Sequence, residues 1–139
     1  LAGASKITII NRTAARAEEL AALIHGKTQS DSQAIAWKKG QDIPADTGIL
    51  INATSIGLGE DCANRPDINY ETITSDMTVS DVVFNPSDTL FLQAAAERGA
   101  KTVNGLGMLA CQGARNFTLW TGEEAPLELM IGTLKKEFA

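Results

Sequence analysis

Lys6-Ile7-Thr8-Ile9-Ile10-Asn11-Arg12-Thr13 is the stretch that decides the fold of this 139-residue chain. Its β-branched part, Ile7 to Ile10, is typical of a β-strand, because branched side chains pack well on a pleated sheet. Thr13 then offers an N-cap hydroxyl for a helix. The apolar residues of that helix recur at helical spacing: Ala17, Leu20, Ala21 and Ile24. The stretch therefore predicts a strand that leads directly into an amphipathic helix.

Strands and helices alternate along the rest of the sequence. Further strands are predicted at Ala34 to Trp37, Ile49 to Ile51, Met77 to Val83 and Lys101 to Val103. Further helices are predicted at Asp88 to Arg98 and from Gly105 to the end, with a break at Gly122 to Pro126. This alternation predicts an α/β fold with a Rossmann-like, doubly wound parallel sheet and C-terminal helices. The uninterrupted apolar run Ile49 to Ile51 predicts a strand covered on both faces.

Composition narrows the class of protein. The chain is 44% hydrophobic and 21% charged, which is ordinary for a globular protein, and its length suits one domain over residues 1–139. No apolar run approaches the roughly 20 residues of a membrane span, and the first residues lack a signal-peptide pattern. A net charge of -5 without a basic cluster argues against nucleic acid and anionic membranes as partners. A cytoplasmic location is expected.

The cysteine, histidine and acidic residues give no metal-binding pattern. Cys62 and Cys111 lack a Cys-x-x-Cys context and are predicted to be free thiols. The lone His25 falls at a helix end, which suits a capping or surface role. Glu60 and Asp61 lie beside Cys62, but no further ligands follow at a workable spacing. The sequence therefore predicts a solvated acidic loop and no metal.

Four segments stand at the carboxyl ends of predicted strands, at the edge of a parallel sheet where ligands bind. They are Asn11–Arg16, Asn52–Gly57, Asp81–Pro86 and Asn104–Gln112. In the first, Arg12 and Arg16 flank a helix start, whose free N–H groups favour an anion. An arginine here accommodates the 2′-phosphate of NADP, whereas NAD selects an acidic residue, and Ala14 and Ala15 place no acid there. NADP is the predicted cofactor; the alternative is a pair of solvated surface charges.

The later segments combine small polar residues with glycine. Asn52-Ala53-Thr54-Ser55-Ile56-Gly57 either caps its strand through side-chain hydrogen bonds or lets a flat cofactor approach the backbone.

A helical wheel after Gly105 separates a face that is predicted to anchor in the core from an opposite face. The first face contains Leu106, Ala110, Gly113, Phe117 and Trp120, and the second Met108, Gln112 and Arg115. On the second face, Met108 is suited to packing on a planar ring and Gln112 to a substrate hydrogen bond; chance exposure is the alternative.

One part of a dinucleotide-binding fold is missing from the pattern. The glycine-rich turn that holds a pyrophosphate follows the first strand, about 20 residues before the position of Arg12. Here Leu1-Ala2-Gly3-Ala4-Ser5 instead resembles the last turn of a helix that closes on a glycine. We therefore expect an N-terminally truncated domain that lacks its first strand and the glycine-rich turn.

As an ordered set, the motifs resemble the C-terminal NADP-binding domain of the shikimate dehydrogenase family. They are N-R-T with Arg16, N-A-T-S-x-G, D-x-x-F with Asn85-Pro86 and Thr89, and G-L-G-M-L-x-x-Q-G-A, and together they cover nearly the whole chain. The resemblance implies an enzyme that reversibly reduces 3-dehydroshikimate to shikimate with NADPH. It also implies a cleft shared with an N-terminal substrate domain, which this chain lacks, so the isolated chain is predicted to be inactive.

The resemblance implies roles for individual residues. The adenosine and its 2′-phosphate would be held by Asn11, Arg12, Thr13 and Arg16. The rest of the cofactor would lie along Thr54, Ser55, Ile56, Val82, Gly105, Met108 and Leu109. The substrate would be contacted by Gln112 and at the position of Phe84. The lysine and aspartate that transfer protons in this family belong to the N-terminal domain, so no catalytic residue is assigned in this chain.

Three departures from the family pattern leave the substrate open. Phe84 stands where the family usually has a tyrosine whose hydroxyl touches the substrate, Leu58 where methionine is common, and Leu90 where proline is common. Quinate is the alternative substrate, although quinate-oxidising relatives that favour NAD tend to place an acidic residue where Ala14 and Ala15 stand. A non-catalytic NADP-binding module is a further alternative. An upstream glycine-rich turn and a substrate domain with a suitable lysine and aspartate would favour the enzyme.

Overall fold

The computed structural model describes residues 3–138. The chain divides into two compact units, Leu1–Gln41 and Asp42–Ala139. The first contains β1 (Lys6–Asn11), α1 (Ala14–Lys27) and β2 (Asp31–Ala36). The second contains β3 (Ile49–Asn52), β4 (Thr78–Asp81), α2 (Leu90–Glu97), β5 (Lys101–Val103), α3 (Leu106–Thr121) and α4 (Leu127–Phe138), with 3-10 turns at Gly59–Asp61 and Tyr70–Thr72.

The first unit is a parallel strand pair packed against one helix. β1 and β2 pair along their whole length. On α1, Ala17 and Ala21 are buried one turn apart, and the Ser32 hydroxyl of β2 donates to the Ala21 carbonyl (2.7 Å). Small side chains at these two positions let the helix backbone lie close to the strands. The strand and helix predicted from the opening stretch are confirmed.

Several details of the first unit differ from the sequence predictions. β2 begins at Asp31, three residues before the predicted strand start, because pairing with β1 and not local polarity sets its length. Thr13 occupies the N-cap position of α1, but its side chain makes no capping hydrogen bond. Leu20 is 45% exposed, so the buried stripe of α1 is narrower than the periodicity predicts. The predicted helix end before β1 includes Leu1 and Ala2, which lie outside the described residues.

The second unit is built on a three-stranded parallel sheet in the order β3-β4-β5. Its core consists of apolar side chains from β4, α2, the start of α3 and the adjoining loops. The buried members include Met77, Val79, Val83, Phe91, Leu92, Ala94, Ala95, Leu106 and Ala110. The predicted alternation of parallel strands with helices and the two C-terminal helices are confirmed.

β3 is less covered than its sequence predicts. Ile49 is 67% exposed and Ile51 57% exposed, although an uninterrupted apolar run predicts burial on both faces. Within residues 3–138, β3 pairs with β4 alone, so it is an edge strand of its sheet. Ile49 and Ile51 point to the same face because side chains alternate along a strand, and that face is open.

The strand orders match parts of the dinucleotide-binding fold, in which six strands run 3-2-1-4-5-6. The order β2-β1 matches the 3-2 part, and β3-β4-β5 matches the 4-5-6 part. No residue from 3 to 138 forms an equivalent of strand 1, and the parallel strands are distributed over two sheets. The predicted Rossmann-like α/β class is thereby confirmed.

Among the same residues, no helix is long and apolar enough to cross a membrane.

Tyr70 closes one side of the second unit's core. Its ring meets Phe91 edge to face at 6.4 Å, the guanidinium of Arg65 lies 4.3 Å from the ring centre, and its hydroxyl donates to the Pro66 carbonyl (2.8 Å). Burial raises the pKa of Tyr70 to about 12 from its ordinary 10. The folded state therefore favours the neutral phenol.

We expect the tyrosinate absorbance of the folded chain to appear near pH 12 and not near pH 10. Tyr70 is the only tyrosine, so this signal belongs to one residue. Because the folded pKa is the higher one, the associated stabilisation is complete below about pH 10 and is lost as the pH rises toward 12. Urea unfolding across this range measures the loss, and Tyr70→Phe should remove it while keeping the ring. An absorbance midpoint near 10 in the folded chain would contradict the burial of this phenol.

Candidate functional site

Three of the four segments that follow strands lie at one edge of the second unit. They are residues 52–57, 81–86 and 104–112, after β3, β4 and β5 respectively. These strands are parallel, with Asn52 opposite Asp81 in the register, so their carboxyl ends meet at the same edge. This edge is where ligands bind in open α/β sheets. The sequence prediction that these segments follow strand ends is confirmed.

A buried carboxylate joins these segments. Asp81 is 1% exposed, and its Oδ1 accepts hydrogen bonds from Asn52 Nδ2 (3.0 Å) and from the Val83 N–H (3.0 Å). Its Oδ2 accepts from the Thr89 hydroxyl (2.7 Å), and the same hydroxyl accepts from the Leu92 N–H (3.3 Å) as the N-cap of α2. The carboxylate thus ties the end of β3, the loop after β4 and the start of α2 together.

The loop after β3 continues this network. Asn52 Oδ1 accepts from both the Thr54 N–H (3.1 Å) and the Thr54 hydroxyl (2.7 Å), and that hydroxyl accepts from the Ile56 N–H (3.1 Å). Asn52 and Thr54 therefore cap the strand through their side chains, which was one of the two interpretations of the N-A-T-S-x-G motif. Thr54 and Ile56 are half-buried and Ser55 is exposed, so the capped loop also presents a surface of small residues.

An acidic residue holds the glycine end of this loop. Gly57 has φ +94°, a left-handed conformation that favours glycine, and its N–H donates to Asp61 Oδ2 (3.0 Å). The Asn64 side chain donates to Asp61 Oδ1, and this hydrogen bond, followed by that from Gly57, lowers the pKa of Asp61. Asp61 is thus a structural acceptor.

Residues 3–138 contain no group of three or more histidine, cysteine or acidic side chains that could hold a metal, and Cys62 and Cys111 are free and exposed.

Gly105 lets α3 begin directly against the loop after β4. A Cβ at this position would lie 2.5 Å from the Val83 carbonyl oxygen and 2.7 Å from that of Val82. Gly105 is the N-cap residue of α3, and the Asn104 side chain accepts from the Leu106 N–H (3.3 Å). The absence of a side chain therefore fixes the distance between the helix start and Val82.

α3 turns one face to the core over its first turns only. Leu106 and Ala110 are buried as predicted, whereas Phe117 is 39% exposed and Trp120 82% exposed, so the predicted core face is too long. The Met130 methyl of α4 lies against Gly113 farther along α3, which accounts for the covered middle of the helix. On the opposite face, Met108 is 41% exposed and Gln112 is exposed. Leu109 is half-buried between the two faces.

Phe84 is held by the last helix. Its ring meets Phe138 of α4 edge to face at 5.5 Å, and it is half-buried. The side chain at position 84 is therefore apolar and packed against a second aromatic ring. Neither ring offers a hydrogen-bonding group.

The fourth segment belongs to the first unit. Asn11 Oδ1 accepts from the Thr13 N–H (2.8 Å), which shapes the turn between β1 and α1. Arg12 and Arg16 are exposed, and the first turn of α1 contains no acidic residue. Two cations beside a helix N-terminus give this end of β1 a positive potential that suits an anion.

The central group of the site, Asp81, enters the sequence motifs only as the first residue of D-x-x-F. Its hydrogen bonds with Asn52 and Thr89 are not predicted by the sequence. The available signal was a polar residue at the end of each of two strands, Asn52 in β3 and Asp81 in β4, since such residues need partners when they are buried.

Parallel strands joined by helices, with small polar residues gathered at the carboxyl edge, define a Rossmann-like domain of the dinucleotide-binding class. Comparison with known proteins narrows this class. The family model described as Shikimate 5'-dehydrogenase C-terminal domain matches residues 105–135. Over these residues the chain is similar to the C-terminal domain of shikimate dehydrogenases.

Individual relatives show the extent of the likeness. A shikimate dehydrogenase (NADP(+)) of Methanococcus aeolicus is 38% identical over 130 residues, which are 94% of this chain and 46% of the relative. The solved 5-ketofructose reductase of a Gluconobacter strain has a TM-score of 0.90 and 43% identity, over 98% of this chain and 49% of that one. The Thermus thermophilus shikimate 5-dehydrogenase, solved with NADP(H) and shikimate, has a TM-score of 0.78 and 32% identity, over 97% and 47%. The chain spans about half the length of the relatives that it matches.

We expect Gly105→Ala to destabilise the second unit by about 1–3 kcal/mol, because the new methyl group would overlap two backbone carbonyls. Gly107→Ala is the matched control, since a Cβ there meets nothing within 4 Å and alanine is the better helix former by about 1 kcal/mol. Urea unfolding of both variants measures the difference. Equal stability of the two variants would contradict the close approach of α3 to Val82 and Val83.

Proposed function

We propose that these 139 residues belong to the NADP-binding domain of an oxidoreductase that reversibly reduces 3-dehydroshikimate to shikimate with NADPH. The observation that carries the proposal is the likeness to shikimate dehydrogenases along 94% of the chain, which includes all four segments at the strand ends. The other half of such an enzyme would supply the substrate domain and the proton-transferring groups. The isolated chain would then be inactive.

The residues present fit NADP. Exposed Arg12 and Arg16 flank the start of α1 without an acidic neighbour in its first turn, which suits a 2′-phosphate. Gly105 leaves no room for a side chain, so α3 begins directly against the loop after β4, at the edge proposed for the cofactor. The proposed cofactor contacts are Asn11, Arg12, Thr13, Arg16, Thr54, Ser55, Ile56, Val82, Gly105, Met108 and Leu109.

In this proposal the bound nicotinamide supplies or accepts the hydride. The chain's own residues bind and orient it: the arginines hold the adenosine end, the capped loop at Thr54 to Ile56 lines its path, and the exposed Met108 packs on the ring. The exposed amide of Gln112 would donate or accept a hydrogen bond at a substrate oxygen, and Phe84 would bound the substrate side. No residue of this chain is proposed as a proton donor or acceptor in the reaction.

A second candidate substrate is the sugar ketone 5-ketofructose. The solved reductase for that compound is 43% identical to this chain with a TM-score of 0.90. The apolar pair Phe84 and Phe138 offers no hydroxyl where the family usually places a tyrosine, which favours a change of substrate within the family. Either substrate presents a carbonyl to the same hydride donor.

Quinate as the substrate and a non-catalytic NADP-binding module remain the alternatives. The absence of an acidic residue at Ala14 and Ala15 favours NADP over the NAD preference associated with quinate oxidation.

We further propose a cytoplasmic location, which two exposed free thiols support because the cytosol keeps thiols reduced.

In the full-length enzyme that contains this chain, we expect Arg12→Ala to raise the KM for NADP about tenfold or more and to leave the KM for NAD nearly unchanged. A hydrogen bond to a charged group is worth about 1.5–3 kcal/mol, and only NADP has the phosphate that would make it. Steady-state kinetics with both cofactors measures the ratio. Lys39→Ala removes an exposed cation from the same unit and is the control. An equal rise for both cofactors would remove the phosphate role of Arg12.

The substrate is identified by kcat/KM of the same enzyme with NADPH and either 3-dehydroshikimate or 5-ketofructose, and with NADP and quinate. We expect the highest value with 3-dehydroshikimate. Phe84→Tyr should raise kcat/KM for that substrate by restoring a hydroxyl worth about 0.5–1.5 kcal/mol. A preference for 5-ketofructose would replace the proposed substrate, and the lack of turnover with all three would favour the binding module.

A further inference from the structure

Asp81 has an arrangement that core stability alone does not explain. Burying a carboxylate is costly unless donors surround it, and an apolar side chain of similar size often stabilises a core as well. Here both oxygens are used and the three donors come from three separate segments, at Asn52, Val83 and Thr89. An apolar side chain could fill the same space but could not orient these segments.

Two of the three connections from Asp81 lead to the residues proposed to contact the cofactor. Through Asn52, Oδ1 reaches Thr54, whose hydroxyl holds the Ile56 N–H. Through the Val83 N–H, the same oxygen orients the backbone beside Val82, against which α3 begins. The third connection, from Oδ2 to Thr89, leads to the start of α2.

We propose that Asp81 is a positioning residue that holds the Thr54–Ile56 loop and the Val82–Val83 backbone in the one arrangement that receives the nicotinamide half of the cofactor. Displacing a binding group by about 1 Å costs up to about a hundredfold in rate, so a fixed frame at this edge matters for function. The identity of the ligand rests on the proposed function, whereas the fixed geometry of the two segments does not depend on it. The geometry and the ligand are therefore tested by separate experiments.

The geometry is tested on the chain itself by amide hydrogen exchange followed by NMR. Asp81→Ala should accelerate exchange at Ile56 and Val83 about tenfold or more and leave Leu109, which donates to the Gly105 carbonyl (3.0 Å), unchanged. Asp81→Asn retains one oxygen for Asn52 and Val83 and should restore protection. Asp76→Ala removes an exposed charge before the opposite end of β4 and should change neither amide.

If Asp81→Ala exposes all amides together, Asn52→Ala decides, because it removes the connection to Thr54 from its other end. It should accelerate exchange at Ile56 and spare Val83. Unchanged exchange at Ile56 in Asn52→Ala, or in a folded Asp81→Ala, would overturn the positioning role.

The functional consequence is tested in the full-length enzyme. Asp81→Ala should raise the KM for NADP about tenfold with little change in the KM for the carbonyl substrate, and Asp81→Asn should restore it. Thr89→Val breaks only the connection to α2 and should lower the Tm without raising the KM. A KM for NADP that follows the Tm in all three variants would reduce Asp81 to a structural role. No use of NADP by the unmodified enzyme would instead defeat the proposed function and leave the exchange result standing.

Discussion

The edge of the second unit depends on how one buried carboxylate is satisfied. The Asp81 side chain is buried away from solvent, and burying a carboxyl group is costly unless hydrogen-bond donors replace the water. Here Asn52, Val83 and Thr89 all donate to it. Each donor belongs to a different segment, so the electrostatic requirement of a single side chain becomes a geometric requirement on three pieces of backbone. The ends of β3 and β4 and the start of α2 therefore hold one arrangement.

That arrangement determines what a ligand would meet. Val83 is fixed by Asp81, and the missing side chain of Gly105 lets α3 begin against its carbonyl, so the helix start follows the same frame. The side chains that line this edge are small or uncharged, whereas the exposed cations Arg12 and Arg16 belong to the first unit. Phe84, which is one of three positions where the sequence differs from the pattern that it otherwise resembles, packs against Phe138.

Local patterns predicted much of this from the sequence. Periodicity and turn residues gave the order and type of the elements, because side-chain spacing and backbone preferences act over a few residues. They failed where long-range packing decides. β2 extends through polar Asp31 because β1 pairs with it, and Ile49 and Trp120 are exposed although their side chains are apolar. A sequence pattern registers that a residue is apolar but not whether another layer covers it.

By itself, the sequence determined the α/β class, the segments at the strand ends, the arginines beside α1 and the family resemblance, since each depends on residue type and short spacing. Only the tertiary structure decided the hydrogen-bond partners of Asp81 and the packing of Phe84. The reason is physical: the partners of Asp81 and Phe84 at Asn52 and Phe138 lie far away along the chain and meet only after the strands pair and α4 packs. A hydrogen bond between such residues leaves no local periodicity from which it could be read.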